Sequence, residues 1–277
     1  MGSVIFKMTG SGNDFVFADG RTDPLAEWTT ERIQDVCSRR MGVGADGLVV
    51  LAPGSKPGAV RFDFFNNDGS HAPMCGNAAL CATTLAARLE MVPAGAMELE
   101  TDAGTFQTRG DPNDPDRAEI RLADVTDAWF PPITPIAGEG SIGFATVGVP
   151  HLVVPVDDLD AVDVPIRGRA LRFDAALPAG ANVNFVGQKP GGEWAMRTYE
   201  RGVEAETLAC GTGAVASAVF LAVAGRIELP WTVMSRAGLP ISVHGLPKSS
   251  GPNPGLLEPR LGGQGRLVFT GVLQAGR

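Results

Sequence analysis

Residues Met74–Leu85 read "MCGNAALCATTL", and residues Leu208–Gly225 read "LACGTGAVASAVFLAVAG". Each stretch places a cysteine and a glycine at the mouth of a run rich in alanine. No charged residue falls between Cys75 and Ala87, and none between Cys210 and Ala224. A helix with no charged face is buried on every side, and its small side chains let surrounding backbone come close. Each run therefore predicts a central buried helix wrapped by a curved, mainly antiparallel sheet. Two such units predict an α+β fold of two pseudo-symmetric domains.

The flanking segments support a duplication. "FFNNDGSHAPMCG" leads into the first run and "TYERGVEAETLACG" into the second. Both read as a strand that ends in an aromatic residue, then a polar pair, a glycine and a loop before Cys-Gly. Most of the remaining chain reads as short strands between Gly, Pro and Asp breaks. "VIFKM", "DFVFAD", "GLVVLA", "AVRFDFF", "GTFQTR" and "AEIRLA" fill the first half, and "LVVPVD", "NVNFVG", "EWAMRTY", "WTVMS", "LPISVHG" and "RLVFTG" fill the second. One further helix is predicted in "TTERIQDVCSRR", with a Thr cap, an early Glu and an apolar face of Ile33, Val36 and Cys37. The Pro- and Gly-rich segment Leu246–Gly265 reads as a long surface loop.

The totals bound the function. The 277 residues, 44% of them hydrophobic, suffice for one large domain or two of ordinary size with a sizeable core. A net charge of −8 argues against a nucleic-acid partner. No run of about 18 apolar residues suggests a membrane span, and "MGSVIFKMTG" lacks the pattern of a signal peptide. Four cysteines are too few for a disulfide scaffold at this length. A reducing cytoplasm is the expected location. His71, His151 and His244 show no ligand spacing, and Cys75 and Cys81 do not form C-x-x-C, so no metal is expected.

The first N–H groups of a helix have no partner within it and attract anions. A cysteine at that position is expected to have a lowered pKa. If both helix mouths meet one ligand, a carboxylate lies among N–H donors with a thiol on either side of the adjacent carbon. Removing an α-proton builds charge on that carboxylate, and one donor aimed there is typically worth about 3 kcal/mol. One cysteine as thiolate takes the proton and the other as thiol returns one to the opposite face. The centre inverts with no cofactor. Other readings give Cys75 and Cys210 different roles: inert buried cysteines, a redox-sensing pair in a binding protein, or Cys210 as the nucleophile of a hydrolase or acyl transferase, which wants a partnering base. Cys37 and Cys81 fall on apolar helix faces and read as core.

At these residues the chain resembles the diaminopimelate epimerase family, nearly end to end. "KMTGSGNDFVFADG", "RRMGVGADGL", "FNNDGSHAPMCGN" and "YERGVEAETLACGTGA" are similar to four of its signatures. The resemblance implies two pseudo-symmetric domains, residues 1–122 with 267–277 and residues 123–266, and an active site in the cleft between them. It implies Cys75 and Cys210 as base and acid, exchanging roles with substrate chirality. It implies that backbone N–H groups of Gly76, Asn77, Gly211 and Thr212 hold the reacting carboxylate. It places Asn13, Asn66, Asn182, Glu200 and Arg201 at substrate-binding positions and His151 near the site. The implied reaction interconverts LL- and meso-diaminopimelate without a cofactor, in a homodimer. A Glu beside an Arg suits the second zwitterionic end of that substrate; a racemase of another amino acid has less use for both. The chain departs from the family pattern at Ala78 and Leu80, where Gly and Arg are usual, and at Val149, often Asn.

Overall fold

A computed structural model describes residues 2–248 and 253–274. In chain order the elements are β1 (Ser3–Gly10), β2 (Asn13–Asp19), α1 (Thr30–Cys37), β3 (Gly47–Pro53), β4 (Ala59–Asn66), β5 (His71–Ala72), α2 (Gly76–Arg88), β6 (Ala96–Thr101), β7 (Gly104–Gly110) and β8 (Arg117–Arg121). Then follow β9 (Gly143–Val147), β10 (Val149–Pro155), α3 (Arg169–Arg172), β11 (Asn182–Gln188), β12 (Trp194–Glu200), β13 (Ala205–Thr207), α4 (Gly211–Val223), β14 (Trp231–Met234), β15 (Pro240–Pro247), β16 (Leu256–Gln264) and β17 (Arg266–Leu273). The chain divides into two compact units, Met1–Ile120 with Gly262–Arg277, and Arg121–Leu261. The fold is sheet-dominated α+β.

The strand pairings show the duplication. In the first unit β1 runs antiparallel to β2, β2 parallel to β3, β3 antiparallel to β4, β4 parallel to β6, and β6 antiparallel to β7. In the second unit β9 runs antiparallel to β10, β10 parallel to β11, β11 antiparallel to β12, β12 parallel to β14, and β14 antiparallel to β15. The short strands repeat too, β5 against β4 and β13 against β12. The same succession of parallel and antiparallel steps thus occurs twice.

The strands of each unit pack around its own central helix. In the first unit α2 packs against β1, β2, β3, β4, β6, β7 and β17, and every residue from Ala78 to Ala86 is buried. In the second, α4 packs against β9, β10, β11 and β15, with Gly213 to Leu221 buried. The polar side chains inside these helices satisfy themselves on backbone: Thr83 donates to Ala79 O at 2.8 Å, Thr84 to Gly265 O at 2.6 Å, and Ser217 to Gly213 O at 2.8 Å. The outer sheet faces are covered as well. Val16, Ala18, Leu48 and Val50 pack with Ile33, Val36 and Cys37 of α1 in one core cluster. Because side chains alternate along a strand, Phe15, Phe17, Val49 and Leu51 turn to the α2 side. Strands buried on both faces explain the near-continuous apolar runs "FVFA" and "LVVL".

The predicted helix α1 ends at Cys37, with Thr29 Oγ1 accepting the N–H of Arg32 at 3.3 Å as its cap. The expected surface loop Leu246–Gly265 is corrected at its two ends, where β15 continues to Pro247 and β16 occupies Leu256–Gln264; its residues 249–252 lie outside the described residues. Leu256, Pro259 and Leu261 are buried. Gly and Pro lowered the apparent strand character of "LLEPRLGGQ" there. The strand tolerates its proline because Pro259 needs only its carbonyl, which accepts the N–H of Leu122 at 2.9 Å.

Candidate active site

Cys75 and Cys210 occupy the same position in the two units, the residue that caps the N-terminus of the central helix. Their backbones are nearly superimposable in torsion, φ −139° and ψ 118° at Cys75, φ −140° and ψ 99° at Cys210. The carbonyl of each starts its helix, accepting from Ala79 N at 2.9 Å and from Ala214 N at 3.1 Å. The Cys210 thiol interacts with the N–H of Gly213 in the first turn of its helix, and the N–H groups before it, which have no partner within the helix, are the donors available to a ligand. Space at the two mouths differs. A Cβ built on Gly76 meets no atom within 4 Å, whereas one on Gly211 would lie 2.5 Å from Leu261 Cδ2.

In the first unit Asn13 and Asn77 come together at the α2 mouth. Asn77 Nδ2 donates to Asn13 Oδ1 at 2.7 Å, and Asn13 Nδ2 donates to Asp46 Oδ2 at 2.9 Å. The β1–β2 turn that carries Asn13 needs positive φ at both central residues, 50° at Ser11 and 109° at Gly12. Gly10 lets this turn sit on the helix: a Cβ there would be 2.5 Å from Asn77 O. Around it Lys7 pairs with Asp14 at 2.6 Å, and Arg39 with Asp14 at 2.8 Å and Asp46 at 2.6 Å. Burial works to raise the Asp14 pKa, but hydrogen bonds from Arg39 and Lys7 outweigh it, and the carboxyl lies below its ordinary value. Asn66 stands at the end of β4 opposite Gly47. Its side chain bonds locally, donating to Ser70 Oγ at 3.0 Å.

In the second unit Asn182, His151, Glu200 and Arg201 gather at strand ends. His151 and Asn182 are register partners on β10 and β11, and Asn182 Oδ1 accepts the backbone N–H of Arg201 at 2.8 Å. Arg201 also donates from Nη1 to Ala179 O at 3.4 Å. The Glu200 carboxyl has no hydrogen-bond partner among the described residues. Cys210 is 7% exposed, with Sγ 3.7 Å from Thr212 Oγ1. Burial, with the negative charge of Glu200 beside it, pushes its thiol up to about 11. This corrects the expectation of a lowered pKa at that helix start: in the ligand-free site desolvation outweighs the helix dipole.

His151 is fully buried, and burial together with the Arg201 charge lowers its pKa to about 3, so the ring is neutral. Asn184 fixes its tautomer. Thr198 Oγ1 donates to Asn184 Oδ1 at 3.0 Å, which leaves the Asn184 NH₂ to donate to Leu152 O at 2.9 Å and to His151 Nδ1 at 3.2 Å. The ring proton then sits on Nε2, which has no partner among the described residues. Gly213 makes room for this arrangement, since a Cβ on it would overlap Asn184 Oδ1. Asn184 and Asp46 were not singled out in the sequence, although each lies in a stretch that was, "NVNFVG" and "RRMGVGADGL".

Register relates the halves residue by residue. Phe15 pairs with Gly47 as His151 pairs with Asn182, so Asn13 and Val149, two residues earlier, correspond. Gly47 opposes Asn66 on β4, and one step beyond the Val183–Tyr199 pair the same relation links Asn182 and Glu200. Each mouth thus has the ends of the corresponding strands of its own unit beside it. Val149 puts an exposed methyl pair where the first unit has Asn13. Leu80 and Ala78 are buried. Among the described residues no three His, Cys, Asp or Glu side chains converge as a metal site, and no helix is long and apolar enough to cross a membrane.

Comparison with known proteins gives a consistent result. A family model described as diaminopimelate epimerase matches residues 5–118 and 143–247. A diaminopimelate epimerase of Gemmatimonas aurantiaca is 47% identical over 275 residues, covering 96% of this chain and 98% of that one. One from Aquifex aeolicus is 40% identical, covering 84% and 86%. Among solved structures, a phenazine biosynthesis protein of the PhzF family from Bacillus anthracis matches with a TM-score of 0.73 at 13% identity, covering 99% of this chain and all of that one. A hydroxyproline epimerase from Agrobacterium vitis, with trans-4-hydroxy-L-proline bound, matches with a TM-score of 0.61 at 17% identity, covering 98% and 90%. These two share the fold.

Proposed function

The chain belongs to the diaminopimelate epimerase family, and from that premise we infer that it interconverts LL- and meso-2,6-diaminopimelate by moving one α-proton. Cys75 and Cys210 are the two acid–base groups, acting on opposite faces of one carbon. The observation that carries this reading is the repeat of one cysteine, in one backbone conformation, at the mouth of each central helix. An inversion needs two proton carriers, and a duplicated fold supplies two equivalent ones.

The chemistry follows from the groups present. N–H donors of Gly76, Asn77, Gly211 and Thr212 receive the carboxylate, whose charge grows as the α-carbon is deprotonated; donors already aimed there lower the barrier. In the ligand-free protein the Cys210 thiol, raised to about 11, is protonated at neutral pH and stands ready as the acid. With substrate of the opposite chirality the roles exchange. Glu200 and Arg201 meet the distal ammonium and carboxylate, and Asn13, Asn66 and Asn182 complete the polar contacts. His151, neutral and fixed in tautomer, adds a donor without adding charge.

A cytoplasmic homodimer completes the reading. Thiols that alternate as acid and base must stay reduced, which the cytoplasm ensures. Val4 pairs with Val272 across β1 and β17, and both are exposed. Such a pair of exposed aliphatic side chains suits a second copy of the chain.

The test is direct. Reduced protein is incubated with LL-diaminopimelate and meso product is followed by chiral separation, with Cys75→Ser and Cys210→Ser in parallel. Each variant is expected to lose at least about 10²-fold in epimerisation while keeping its fold, the scale of one general acid–base group. Turnover that survives Cys75→Ser would overturn the two-base reading. An inactive but folded wild type would move the search to other amino acids.

A further inference from the structure

We propose that Asp46 is a positioning residue for the first half-site, fixing through Asn13 which way the Asn77 amide points at the mouth of α2. The proposal rests on the reading of Asn13 as a substrate contact, it extends that reading to the Asn77 side chain, and it adds a residue that neither touches substrate nor lies next to a catalytic cysteine.

An ionised carboxylate can only accept hydrogen bonds, whereas a primary amide both donates and accepts and can be turned over. The Asp46 carboxyl uses both its oxygens. Oδ1 accepts from Arg39 Nη2 at 2.6 Å, and Oδ2 accepts from Asn13 Nδ2 at 2.9 Å and from the backbone N–H of Asp14 at 3.2 Å. Only the NH₂ side of Asn13 can meet such a partner. Its Oδ1 must then face Asn77, and it receives Asn77 Nδ2 at 2.7 Å. The polarity of the chain is set from its charged end, so the orientation of Asn77, two residues after Cys75, is decided on another segment of the unit.

The charged end is itself anchored. The loop before β3 is held by Asp46 N donating to Asp14 O at 2.8 Å and by Asn67 N donating to Asp46 O at 3.2 Å. Arg39 spans Asp14 and Asp46, and Lys7 joins Asp14 to the carbonyl of Gly44. Asn13 has no slack to find another partner, because its turn rests on α2 at Gly10 with no room for a Cβ. Four charged side chains are thus committed to the direction of two amides.

Asp46→Asn keeps the shape and removes the acceptor-only end, so the Asn13 amide can turn over and present its NH₂ to that of Asn77. The expected effect is a rise of about tenfold in KM for LL-diaminopimelate with kcat within about twofold. The decisive readout is coupling. If Asp46 acts through Asn13, Asp46→Asn combined with Asn13→Ala is no worse than Asn13→Ala alone. A role confined to holding the loop would instead give losses that multiply. Wild-type KM in Asp46→Asn, or multiplying losses, overturns the proposal while the reading of Asn13 stands. Wild-type KM in Asn13→Ala overturns that reading and this proposal with it. Circular dichroism checks the fold of each variant, and Asp46→Ser, with the same expected coupling, replaces Asp46→Asn if the latter does not fold.

Discussion

Burial and the negative charge of Glu200 hold the Cys210 thiol protonated to a higher pH than an ordinary thiol, and that fixes how it meets reagents. Its pKa is raised from 9.0 to about 11, so the thiolate fraction grows tenfold with each pH unit from neutrality up to that value. Alkylation of Cys210 in the ligand-free protein, followed by peptide mapping, is expected to accelerate about tenfold per unit between pH 7 and pH 10. A rate already level by pH 8 would show instead that the helix dipole prevails over burial. The two cysteines were legible in the sequence because a Cys-Gly opening onto an uncharged run occurs twice. The resting charge state was not, because it depends on what covers Sγ, and a helix start alone says nothing of that. The electrostatic influence of Glu200 on Cys210 is likewise a relation between segments that the linear order leaves ten residues apart. The asparagines were ambiguous for a similar reason: Asn66 bonds to its own turn, while Asn13 reaches a helix 64 residues away.

Helices α2 and α4 carry the architecture because they have no face for solvent. Their small residues are spaces already filled from the sheet. Gly213 is the sharpest case, since the Asn184 side chain occupies the volume of its missing Cβ. Gly213→Ala is expected to destabilise the protein by about 1–3 kcal/mol in urea unfolding, as overpacking does, and to disturb the His151 ring that Asn184 holds. Unchanged stability would show that Asn184 can move aside at no cost. The surroundings of Leu80 account for an apolar residue at its position. Gly263 lies close enough that a Cβ on it would be 2.9 Å from Leu80 Cδ1, so this position in α2 is core and leaves no way out for a charged side chain. At this scale the sequence showed the three principal helices and the strands with continuous apolar runs. It hid β6, whose buried Met97, Leu99 and Thr101 alternate with Glu98 and Glu100. It also hid β16, whose glycines and proline imitate a loop although the strand packs inward.

Two copies of one unit in a single chain give the molecule two equivalent helix mouths, and the account rests on both being used. The duplication was readable from the repeated approach to each cysteine; the repeated order of parallel and antiparallel steps was not, because pairing joins distant segments. Self-association belongs to this scale too. If the exposed β1–β17 face holds the dimer, Val272→Glu is expected to shift sedimentation from the dimeric to the monomeric species, and an unchanged dimer would place the interface elsewhere. The central claim is tested most directly by isotope placement. LL-diaminopimelate is given to the reduced protein in D₂O, and at the first few per cent of turnover the product and the remaining substrate are separated and examined by proton NMR. Two thiols on opposite faces predict deuterium at the inverted centre of the meso product and none in the recovered LL substrate. Deuterium entering the recovered substrate as fast as product forms would contradict the account, since one base would then be removing and returning the proton on a single face.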